Sequence, residues 1–70
     1  MKKISSGVNK RIREVRKEQN MTQEQFASIL GITPQYLSLL ETEARNPSYC
    51  LLLGILYKFG GDEDWLVNGR

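Results

Sequence analysis

Histidine is absent from this 70-residue chain, cysteine occurs once and proline twice. Without histidine there is no imidazole for acid–base chemistry and no Cys–His pair. Cys50 alone assembles neither a zinc site nor an internal disulfide. Stability must come from packing or from a partner, because 70 residues lie near the lower limit for a domain that folds without staples. No apolar run approaches the roughly 20 residues of a membrane span. The opening Met1-Lys2-Lys3 is not followed by the apolar core of a signal peptide, so a cytoplasmic location is expected. No glycine-rich phosphate loop is present, and Gly60-Gly61 reads as a helix stop. Asp62, Glu63 and Asp64 are adjacent, which suits a helix N-terminus better than a pair of catalytic carboxylates. No enzyme, cofactor or metal is expected. No small-molecule effector is evident, and at 70 residues no separate effector-binding domain is expected.

What is present is helical. There is no strand alternation, no repeat and no low-complexity stretch. Ile4, Val8, Ile12 and Val15 step by four, four and three, one stripe on a helix from about Ser6 to Gln19, with Asn20 suited to a left-handed end. A helix from Ser48 or Tyr49 to Phe59 follows the polar segment Glu41–Pro47, and Asp62 caps a short last helix anchored by Trp65 and Leu66. The fold class is all-α with five helices. Charge is uneven along it. Residues 1–20 carry seven Lys/Arg against Glu14 and Glu18, whereas residues 21–70 carry three against six acids. The basic first third is either a solvated helix face or one side turned toward phosphate.

Between the first and fourth helices lies the most informative segment, residues 22–40. Thr22 is a good N-cap, and Gln25 three residues later completes a capping box. Phe26, Ile29 and Leu30 form an apolar stripe, with Ala27 small enough to admit a second helix. Gly31 suits a tight left-handed turn. Thr33 caps the next helix, Pro34 occupies its first turn, and Leu37 and Leu40 supply its inward face. Two short helices joined this way have the layout of a DNA-binding helix-turn-helix. At 100° per residue, Gln35, Ser38, Leu39 and Thr42 then face outward.

The fourth helix is apolar nearly all round. Tyr49, Leu52, Leu56 and Phe59 make a sufficient inward face. Cys50, Leu51, Leu53, Ile55 and Tyr57 leave only Gly54 and Lys58 for water. Either a compact bundle wraps it completely, or a second side meets another subunit.

From about Val8 to Gly69 the chain resembles the phage-repressor and Cro-type helix-turn-helix family. The residues that carry the resemblance are Arg13-x-x-Arg16, Thr22-Gln23, Ala27…Gly31…Leu37, Glu41, Arg45-Asn-Pro47-Ser48 and Asp64-Trp-Leu-Val-Asn-Gly69. It implies a five-helix λ-repressor-like domain spanning residues 1–70, with 1–5 as a flexible N-terminal arm. It also implies a DNA-binding transcription regulator of repressor type, with the helix that starts at Thr33 lying in the major groove. Gln35 is the natural reader there, since its amide matches an adenine edge, a contact worth about 1–3 kcal/mol of discrimination. Ser38 bonds several base edges and discriminates little. Leu39 either touches a thymine methyl or packs against the following loop. Tyr36, on the flank, suits a phosphate or sugar. Gln23 corresponds to the family's phosphate-holding glutamine at a helix N-terminus. Arg45 and Asn46 form a second clamp. Arg16 and Glu41 match a structural ion pair tying the first helix to the end of the third.

Two positions depart from the pattern: Glu43 stands where glycine is usual, and Ala44 where a basic residue often follows. Arg45 is then the only cation of that loop, which implies weaker non-specific binding than a more basic relative shows. The leading expectation is a homodimer on double-stranded, two-fold operator DNA, paired through the fourth helix and through Trp65-Leu66-Val67. The alternative is the same scaffold used as a protein-binding module, antitoxin-like or adaptor. Leu39, Glu43, Ala44 and the over-apolar fourth helix motivate it.

Overall fold

A computed structural model describes residues 7–69. Its elements are α1 (Val8–Glu18), α2 (Gln23–Leu30), α3 (Pro34–Glu41), α4 (Tyr49–Phe59) and α5 (Asp64–Asn68), with no strand among the described residues. Ile4, Ser6 and the expected arm 1–5 lie outside the described residues. α1 begins after Gly7, whose φ of 84° takes the place of a side-chain cap. Asn20 turns the chain out of α1 at φ 56°. The last element is a single wide π-type turn rather than an α-helix. Asp62 still caps it, accepting from the Asp64 N–H at 3.0 Å. Glu63 accepts a hydrogen bond from the Tyr49 hydroxyl, so this acid also ties α5 to the start of α4.

The elements close a ring through their principal contacts, in the order α1, α3, α2, α4, α5 and back to α1. Each contributes to one core: Ile12 from α1, Phe26 and Ala27 from α2, Leu37 from α3, Leu52 and Ile55 from α4, Leu66 and Val67 from α5. Phe26 and Phe59 stack with ring centroids 4.7 Å apart. Burying a side chain of this size contributes roughly 1.5–3 kcal/mol, and closing the ring lets five short helices share that gain.

Three sequence expectations need correction. Ile29 does not belong to the buried stripe of α2; it is 40% exposed, because Phe26, Ala27 and Leu30 centre the inward face about 110° away from it. On α4 the expected inward residues Tyr49, Leu52, Leu56 and Phe59 all pack on the core, but Ile55, expected on the other side, joins them fully buried, while Leu53 and Tyr57 are exposed. α4 packs against α2 and α5, so its apolar residues are split between a wrapped side and a bare one. Leu66 and Val67 are fully buried in the core. Of the C-terminal apolar trio, only Trp65 keeps surface that another copy could meet.

Candidate nucleic-acid interface

The turn between α2 and α3 is built from backbone geometry and two caps. Thr22 accepts from the Gln25 N–H at 3.1 Å while the Gln25 side chain accepts from the Thr22 N–H at 3.0 Å, a complete capping box. Gly31 ends α2 at φ 76°, and the Ile32 N–H reaches back to the Ala27 carbonyl at 3.0 Å. Thr33 accepts from the Tyr36 N–H at 3.0 Å, with Pro34 in the first turn of α3. The start of α3 is thus fixed locally, and its rotation is fixed by Leu37 and Leu40, both fully buried.

That rotation brings the expected readers outward together. Gln35 and Thr42 are exposed, Ser38 and Tyr36 half-buried, and Leu39 is 40% exposed. Leu39 thus keeps exposed apolar surface, while its carbonyl accepts from the N–H groups of Ala44 and Arg45 at 3.0 and 3.2 Å. The Thr42 hydroxyl donates to the Ser38 carbonyl at 2.9 Å, which leaves its oxygen lone pairs for an outside donor. Thr33 is exposed beside them.

Behind this face stands a polar cluster. Arg16 Nε and Nη2 donate to the two Glu41 oxygens at 2.7 and 3.0 Å, and Nη1 donates to the Met21 carbonyl at 3.0 Å. The Gln23 amide donates to Glu41 Oε1 at 3.0 Å. Four segments are joined in this way: α1, the turn before α2, the first residue of α2 and the last of α3. The Glu41 side chain is only 3% exposed, so its charge depends on these donors. Gln23 is half-buried and oriented by Glu41 rather than loose in solvent.

The loop after α3 is held by a residue that the sequence reading did not single out. Asn9 of α1 is 5% exposed, the buried polar side chain of the core. Its amide donates to the Leu40 carbonyl and, at 2.9 Å, to the Arg45 carbonyl. Those bonds set the path of Arg45 and Asn46, whose side chains are exposed. The signal was present as a polar residue next to Val8 at the edge of an apolar stripe. Such a position is usually solvated, and only the neighbouring loop makes it buried. Glu43 occupies the left-handed region at φ 66°, where the family's glycine is usual.

Comparison with known proteins matches residues 9–70 to the family described as "Helix-turn-helix domain". The chain belongs to the helix-turn-helix domain family. This helix-turn-helix domain is also 36% identical over 61 residues to the HTH-type transcriptional regulator RamB of Mycobacterium tuberculosis, in two strains. The match covers 87% of this chain and 13% of the relative, so the domain corresponds to a small part of a much longer protein. No solved structure matches significantly. Among the described residues of the helix-turn-helix domain, no group of three His, Cys, Asp or Glu could hold a metal ion. No described helix is long and apolar enough to cross a membrane.

Proposed function

We propose that the chain is the DNA-binding module of a transcription regulator and that it reads duplex DNA with α3 in the major groove. The observation that carries this reading is the outward set Gln35, Ser38, Leu39 and Thr42 on a helix whose Leu37 and Leu40 are fully buried. Gln35 reads an adenine edge, Leu39 meets a thymine methyl, and Ser38 adds a tolerant contact. Gln23, Thr33, Tyr36, Thr42, Arg45 and Asn46 engage sugar and phosphate. Arg16 and Glu41 brace the reading helix from behind.

The module acts as a homodimer on a two-fold operator. α4 supports this, because Cys50, Leu53 and Tyr57 share one exposed side and Tyr57 is 84% exposed. A two-fold pair presents α3 to successive major grooves about 34 Å apart. A protein-binding role for the same scaffold is favoured by one feature, the Glu43 carboxylate close to the loop's only cation. It differs in its salt response, since an apolar interface does not weaken steeply with added salt.

Selection from a random duplex library across a salt series tests the reading. A palindromic site whose affinity falls steeply with salt is the expected result. No enrichment, with weak binding even at low salt, would overturn it. Gln35→Ala should relax preference at one base pair per half-site. Arg45→Ala should weaken all sequences alike and flatten the salt slope by about one per bound chain.

A further inference from the structure

Arg13 has no role in the reading above, yet it stands at the edge of the same face. It lines a cleft with Arg16, Gln23, Glu41 and Thr42, where α1 passes the start of α2 and the end of α3. Within that cleft the Arg16 guanidinium is spent: its three nitrogens serve Glu41 and the Met21 carbonyl. Arg16 and Glu41 therefore cancel, and the positive charge left in the cleft is that of Arg13. Its side chain is exposed, and among the described residues it enters no ion pair. One turn away on either side, Lys10 and Lys17 are also exposed and line a second cleft with Arg13 and Glu14; three cations against one acid still extend the positive field along α1. On the other flank, the loop after α3 offers Arg45 alone, with Glu43 nearby. Phosphate is thus better matched on the α1 side of α3 than on its loop side.

We infer that Arg13 is a phosphate-contacting residue, gripping the duplex backbone beside Gln23 and Thr42. The inference rests on the DNA-binding reading and adds to it a contact from α1. An arginine suits the task because its planar fork meets two phosphate oxygens at once. The clamp is then two-sided, with Arg13 on one flank of the reading helix and Arg45 on the other.

The test compares Arg13→Gln with Lys58→Gln on a selected operator and on random duplex, from low to moderate salt. Lys58 is exposed on α4, away from the cleft, so its variant removes the same charge elsewhere; because its ammonium lies over the Tyr57 ring, sedimentation equilibrium first verifies that the variant pairs as the wild type does. For Arg13→Gln the expected result is a salt slope shallower by about 0.9 per bound chain, about 1.8 for a homodimer. Affinity should drop on both DNAs with base preference unchanged, while Lys58→Gln stays near wild type. Equal effects from the two variants, or none from Arg13→Gln on a protein that does bind DNA, would overturn the contact. Arg13→Lys should restore most of the slope but not all of the affinity, because the charge returns without the fork. A wild-type chain that binds no DNA would sink the DNA-binding reading itself, and this contact with it. Circular dichroism of each variant verifies that the helices remain.

Discussion

Asn9 does the most with the fewest atoms. Its amide bonds two carbonyls, of Leu40 at the end of α3 and of Arg45 in the loop beyond. The Leu40 carbonyl, in the last turn of α3, also accepts from the Glu43 N–H at 3.2 Å, so the Asn9 amide is its second donor. Asn9→Ala should cost about 1–3 kcal/mol, the penalty for taking the amide donor from the Arg45 carbonyl and one of two donors from the Leu40 carbonyl. A urea unfolding midpoint measures this. Asn9→Asp should be worse, because it turns a carboxylate toward two carbonyl oxygens. A midpoint unchanged in both variants would mean that water replaces the amide. Asn9→Ala should also weaken DNA binding through the loosened Arg45 loop, without changing which bases are preferred.

At the scale of the element, the starts of α2, α3 and α4 are legible in the sequence because their caps are local. Thr22, Thr33 and Ser48 each accept from an N–H three residues on, and nothing distant is needed to place them. The loop after α3 is the element under strain. Glu43 at φ 66° adopts a conformation that costs a side-chain-bearing residue about 1–2 kcal/mol. Glu43→Gly should raise the melting temperature by several degrees, the shift expected from about 1 kcal/mol in a domain this small. The same change removes a carboxylate close to Arg45, so non-specific DNA affinity should rise with it. A lower melting temperature would show that the strain at Glu43 is not what limits this loop.

The whole molecule presents two different faces. One carries the outward residues of α3 with Arg13 and Arg45; the other is the bare side of α4. Leu53 at 41% and Tyr57 at 84% exposure, one turn apart, are costly to leave in water. Leu53→Glu with Tyr57→Glu should give a monomer near 8.0 kDa in sedimentation equilibrium, where the wild-type chain is expected at twice that mass. Circular dichroism should stay unchanged, since neither side chain joins the core. A wild-type monomer at high micromolar concentration would remove the argument for pairing through α4. Loss of the dimer should lower operator affinity far more than affinity for a single half-site.

Caps, turn residues and the placement of apolar side chains on short helices are decided within a few residues of chain. Thr22–Gln25, Gly31, Thr33–Pro34 and the pair Leu37 and Leu40 therefore specified the helix-turn-helix and the outward face of α3 from the sequence alone. Glu43 in left-handed geometry followed from the resemblance, because the family carries glycine there. What packs around a helix is not written in that helix. Whether Ile29 is covered, whether Ile55 or Tyr57 faces the core, and whether Leu66 and Val67 are free to meet another copy depended on how the ring of five closes. The same holds for Asn9, whose burial comes from a loop more than thirty residues away. It holds for Arg13 as well, which joins the face of α3 only because α1 crosses the end of that helix. Local hydrogen bonds select the elements, whereas burial is a property of the assembled surface, and that surface exists only after the chain has folded.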